Sequence, residues 1–171
     1  MRTGLALMPR SAPMLKPILT AAGAALLVAM LGGTMTDTGA WYQTLVKPAW
    51  QPPDWAFAPA WTIIFALAAA AAAIAWRNAP DRATREWIVG LFALNGFLNV
   101  LWSLLFFQLR RPDWALAEVV VLWGSIALLI AFLRRFSAPA ARLLIPYLAW
   151  VTFAGVLNAA VVRLNPSFAG G

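Results

Sequence analysis

The chain has no cysteine and no histidine. The first absence removes disulfides, thiolate metal sites and a thiol nucleophile. The second removes the usual proton shuttle and the commonest metal and haem ligand. Conventional hydrolytic or redox catalysis is hard to assemble from what is left, so neither a metal site nor an obligatory cofactor is expected, and a binder or carrier fits better than an enzyme. Charge is scarce as well: 11% of residues are charged, against roughly a quarter in soluble domains. The 13 Lys and Arg outnumber the 6 acids and give a formal charge of +7. They are scattered through short segments with no long basic run, which points to membrane topology and not to nucleic acid.

What the chain does have is apolar surface, at 63% of its 171 residues. About 20 apolar residues carry a helix across a hydrocarbon core about 30 Å thick. Five crossings would use most of the chain. A β-barrel would show short alternating segments, and unbroken apolar runs such as residues 66–75 argue against one. The predicted fold is therefore all-α, a five-transmembrane-helix bundle with a Trp/Pro-rich first loop. The expected spans are residues 17–36, 57–76, 86–109, 114–133 and 138–164, forming one membrane domain over 17–165. A basic segment, 1–16, precedes it and a flexible tail, 166–171, follows. Asn78-Ala79-Pro80 and Arg110-Arg111-Pro112 punctuate the chain as helix terminators. Pro146 inside the fifth span is tolerable because neighbouring helices re-satisfy freed backbone groups. The first span also has the outline of a signal peptide ending at Ala40, but its length suits a retained membrane helix.

Alternate loops differ in charge. The N-terminal segment and the second and fourth loops hold nine Lys and Arg, and the opposite side holds Lys47, Arg110, Arg111 and Arg163. The positive-inside rule then places the N-terminus in the cytoplasm. Helical spans favour a bacterial inner membrane, since closed barrels are the usual outer-membrane solution.

Residues 41–62 read W-Y-x4-K-P-x-W-x-P-P-x-W-x-F-x-P-x-W-T. An aromatic belt at the membrane interface accounts for some of these rings, but not for their interleaving with proline, which makes a stiff, preorganised segment. With L-N-x-L-W-x-x-x-F-F at 98–107 and P-Y-L-A-W-V-T-F-A-x-x-L-N at 146–158, in that order, the sequence closely resembles the tryptophan-rich sensory protein and translocator protein (TspO/MBR) family. The resemblance implies a five-helix bundle, commonly a homodimer. It also implies binding of porphyrins, and in many members of sterols or benzodiazepine-like drugs, in a pocket under the first loop. By motif position Trp61 and Trp150 match the family's pocket tryptophans, with Tyr42, Asn99 and Ala154 beside them.

Helical periodicity adds two mixed stripes of rings and amides: Pro146, Trp150, Ala154 and Asn158 on the fifth span, and Asn95, Asn99, Trp102 and Phe106 on the third. Asparagine is disfavoured against lipid, so Asn95, Asn99 and Asn158 should face inward, as interhelical glue or ligand contacts. Trp50 in the loop joins the candidate ligand-binding set, and Lys47 is a candidate partner for porphyrin propionates. Glu118 lies inside a span, where an unpaired charge costs about 2.5 to 3.5 kcal/mol. It should be neutral or paired, meeting either a ligand N–H or another helix. Ala25, Ala29 and Gly33 form a small-residue stripe suited to close helix packing. Animal members carry a tyrosine ahead of an arginine at the end of the fifth helix as a cholesterol motif. Here Val161 and Val162 precede Arg163, which ranks sterols below tetrapyrroles.

The leading expectation is a membrane protein that binds a protoporphyrin IX-like ligand, with a sensory or trafficking role. The alternatives are a light-dependent porphyrin-degrading enzyme using Trp61 and Trp150, and a passive transporter of small amphipathic molecules.

Overall fold

The computed structural model describes residues 15–168. Arg2 and Arg10 of the basic segment, and residues 169–171 of the tail, lie outside them. The elements are α1 (Leu15–Met35), α2 (Ala40–Thr44), α3 (Phe57–Asn78), α4 (Arg82–Ser103), α5 (Pro112–Leu133), α6 (Ala138–Leu143) and α7 (Ile145–Leu164). No strand occurs among the described residues. Five helical stretches are long and apolar enough to cross a membrane: Leu15–Met35, Asp54–Asn78, Arg82–Gln108, Pro112–Leu133 and Ala138–Leu164. The chain is an integral, multi-pass membrane protein.

Local chemistry sets the ends. Asp81 caps α4 by accepting the Thr84 N–H at 2.7 Å, so that helix starts four residues before the expected 86 and Glu86 instead pairs with Arg82 one turn in. Pro112 opens α5, where its missing N–H costs nothing. A 3-10 turn, Asp54–Ala56, leads into α3. The fifth span is not one continuous helix as the sequence suggests. It breaks at Leu144 between α6 and α7, because Pro146 has no N–H to extend the first helix.

The third span holds a feature with no counterpart in the sequence reading. After α4 the chain widens into a π-helical turn, Leu104–Gln108, in which the Leu109 N–H donates to the Leu104 carbonyl at 2.9 Å. The extra residue per turn lets neighbouring Phe106 and Phe107 both point inward and be buried. Arg110, at φ 54°, then closes the helix in the left-handed region.

The spans form a ring. α1 packs against α3 and α4, α3 against α6, and α5 against both α7 and α4. Polar clasps tie neighbours together: Asn95 Nδ2 donates to Ser125 Oγ at 2.9 Å between α4 and α5, and Asn78 Nδ2 donates to Ser137 Oγ at 3.0 Å. Gly96 sits where α1 approaches α4, and a Cβ there would lie 2.8 Å from Val28 Cγ2, so that side chain would have to shift. One apolar core centres on Ile126, Leu129, Leu144 and Tyr147. A second joins Tyr42 and Leu45 of the first loop to Phe106, Phe107, Ala115 and Val161.

That second core makes the first loop a lid. Asn165 fastens it, accepting the Val46 N–H at 3.0 Å and donating to the Val46 carbonyl at 2.9 Å. Its 3-10 neighbour Pro166–Phe168 brings Phe168 edge-on to Trp41 at 6.4 Å, so part of the expected tail packs on the lid. On the far side Gln108 Nε2 donates to the Met35 carbonyl at 3.0 Å.

Candidate functional site

Beneath the lid, between α1, α3, α4 and α7, lies a cavity of about 770 Å³. Its walls follow from helical spacing. On α3, Phe57, Trp61 and Phe65 recur every four residues and all line it. Trp61 stacks on Phe65 at 5.4 Å and meets Trp150 edge-on at 6.4 Å and 85°. Trp150 is also edge-on to Phe57 at 5.8 Å, and its Nε1 is buried with no hydrogen-bond partner among the described residues. The opposite wall comes from the end of α4 and the π-helical turn, where Trp102 stacks on Phe106 at 5.2 Å and stands edge-on to Phe107 at 6.0 Å. Such rings attract flat π-systems through offset and edge-on contacts.

Small residues provide the space. Ala25, Ala29 and Gly33, expected from sequence to favour close packing, line the cavity, as does Ala154 on α7. Where the stripe faces the cavity, the lack of side chain leaves volume empty.

The amides divide by depth. Asn99 lines the cavity and donates from Nδ2 to Tyr147 Oη at 3.1 Å. Asn158 also lines it, but its amide faces the first turn of α5: in the orientation that satisfies both groups, Nδ2 donates to the Pro112 carbonyl at 3.0 Å and Oδ1 accepts the Leu116 N–H at 3.1 Å. Asn95 is spent on Ser125 and lies outside the lining.

Of the candidates named from sequence, Tyr42, Trp61, Asn99, Trp102, Trp150, Ala154 and Asn158 come together around the cavity. The others do not line it. Trp50 is half exposed and packs edge-on against Phe153 at 5.9 Å. Pro146 is exposed, at the start of α7. Lys47 holds its ammonium 3.7 Å from the centre of the Tyr42 ring, a cation–π contact that occupies it on the lid. Glu118 is buried, yet neither carboxyl oxygen finds a hydrogen-bond partner among the described residues. The helix-to-helix bond expected of it is absent among the described residues.

Gln51, Asp54 and Ser103 are among the polar lining residues that no sequence pattern marked. Gln51 Nε2 donates to Tyr42 Oη at 3.1 Å and to Asp54 Oδ1 at 3.4 Å, and the Tyr42 hydroxyl donates to the same Oδ1 at 3.4 Å. Burial, with Asp54 beside it, pushes the Tyr42 hydroxyl above the ordinary phenol range, so it stays a neutral donor. Ser103 follows Asn99 by one turn of α4. No group of three or more Asp and Glu able to hold a metal ion occurs among the described residues.

Residues 20–164 match the TspO/MBR family. The chain is 42% identical over 156 residues to the tryptophan-rich protein TspO of Chlorobaculum tepidum, covering 88% of this chain and 99% of that one. It is 36% identical over 152 residues to the translocator protein of Sus scrofa, covering 85% and 90%. It is 34% identical over 134 residues to the tryptophan-rich sensory protein of Cereibacter sphaeroides, covering 78% and 82%.

Proposed function

The chain belongs to the TspO/MBR family, and on that premise we propose that it binds a porphyrin-like tetrapyrrole in the cavity under its first loop and serves a sensory or trafficking role. The observation that carries this reading is the cavity wall: the edge-to-face pair Trp61 and Trp150 faces the Trp102 and Phe106 stack across about 770 Å³. That volume lies toward the upper end of the roughly 300 to 1,000 Å³ usual for ligand sites, as a rigid macrocycle requires. The reading includes an N-terminus in the cytoplasm, supported by the loop charges, placement in a bacterial inner membrane, and a homodimer. Sterols and benzodiazepine-like molecules rank below tetrapyrroles.

The test is a titration of the detergent-purified chain with protoporphyrin IX, first in the dark and then under light. Saturable dark binding, with no light-dependent loss of porphyrin beyond a protein-free control, is expected. Light-dependent loss that needs Trp61 or Trp150 would favour the degrading enzyme, a reading helped by the contact between these two rings. Flux across liposomes would favour a passive transporter.

The lid makes its own prediction. Asn165→Ala removes both hydrogen bonds to Val46, each worth about 0.5 to 1.5 kcal/mol. Stopped-flow mixing with protoporphyrin IX should show entry and release both faster by about tenfold, with Kd nearly unchanged. Entry and release rates unchanged from wild type would mean that Asn165 does not hold the lid.

A further inference from the structure

Among the described residues that line the cavity, Asp54 is the one with a charged side chain. It sits at the lid end, in a chain whose overall charge is strongly positive. Among the described residues no Lys or Arg forms an ion pair with it: the ion pairs there are Arg82 with Glu86 and Arg111 with Asp113. The nearby cation of the lid, Lys47, is held over the Tyr42 ring. The polar neighbours Tyr42 and Gln51 both direct their donors at Oδ1, and Oδ2 takes part in no hydrogen bond found among the described residues. A carboxylate oxygen thus remains available on an exposed side chain at the lid end of the cavity, where solvent screens it and it acts on a charge brought close to it.

We propose that Asp54 filters ligands by charge: it favours those that bring a cationic or N–H-bearing nitrogen to the lid end of the cavity and disfavours a carboxylate there. The inference rests on the cavity being a ligand site, as proposed above. A tetrapyrrole satisfies the filter by placing its carboxylates away from Asp54, and a flat aromatic amine satisfies it directly. Gln51 and the neutral Tyr42 hydroxyl position the carboxylate, fixing Oδ1 so that Oδ2 meets the ligand.

Two flat probes with one ring system and opposite charge test this: pyrenemethylammonium and pyrenecarboxylate, titrated near neutral pH into the detergent-purified full chain. The quantity read is the ratio of their Kd values in wild type, Asp54→Asn and Asp54→Lys, in which partition into detergent cancels. The preference for the cation should fall about fivefold in Asp54→Asn, and further in Asp54→Lys. An unchanged ratio in Asp54→Asn overturns the proposal, as does failure of both probes to saturate the wild type. Protoporphyrin IX titrated in parallel separates the two readings. A shifted ratio without saturable porphyrin binding keeps the filter and removes the porphyrin, whereas porphyrin binding with an unshifted ratio does the reverse.

Discussion

Trp150→Ala should weaken protoporphyrin IX binding by about 10- to 100-fold. The indole forms part of the cavity wall and contacts three other rings, Trp61, Phe57 and Phe153. Each aromatic contact contributes about 0.5 to 1.5 kcal/mol beyond the area it buries. Removal deletes one face of the site and leaves Trp61 free to turn, so the ligand loses both a wall and the fixed orientation of its partner. The same substitution also lowers stability, and titration must be run well below its melting temperature. Trp150→Phe separates the effects: it keeps a ring against Trp61 and should lose less than about tenfold. Equal affinity in wild type and Trp150→Ala would place the ligand elsewhere.

Glu118→Leu should stabilise the protein by about 1 to 3 kcal/mol, the usual cost of a buried polar group left without a partner. The residue is only 8% exposed and both carboxyl oxygens lack partners among the described residues. A leucine of similar reach would pack against the apolar face that already contains Val119, Leu122 and Ile126. Glu118→Gln keeps the polar burden and should gain little. Thermal melts in one detergent measure both. Porphyrin affinity should stay unchanged, since Glu118 does not line the cavity. A lower melting temperature for Glu118→Leu would mean that the carboxyl is satisfied by water or by a ligand and does structural service.

The sequence carried some levels of this architecture and not others. Periodicity identifies the face of a helix but not the depth along it. Pro146 shares a stripe with Trp150, Ala154 and Asn158, yet stands at the exposed start of α7, a turn beyond the cavity. Asn95 and Asn99 share a face of α4 and are a turn apart, and only Asn99 reaches the open space. The Phe57, Trp61, Phe65 stripe could have been found by the same spacing argument. The π-helical turn could not, because nothing in Leu104–Gln108 distinguishes it from a continuing α-helix. Asp54 and Gln51 escaped for a different reason. Their positions depend on the lid conformation, which is fixed by Asn165 more than a hundred residues away, so no local pattern marks them. The small stripe of α1 was visible, but whether Ala25, Ala29 and Gly33 face a helix or a cavity depends on what α3 and α4 leave between them.

The central claim is that the ligand occupies the space under the lid, and filling that space tests it most directly. Ala154 lines the cavity with a single methyl group, so Ala154→Phe adds a ring where the macrocycle should lie without removing any existing contact. Dark titration with protoporphyrin IX should saturate for wild type at one ligand per chain. For Ala154→Phe, at an unreduced melting temperature, it should show only the non-saturable partition seen with empty micelles. Saturable binding of equal affinity in the filled variant would contradict the account.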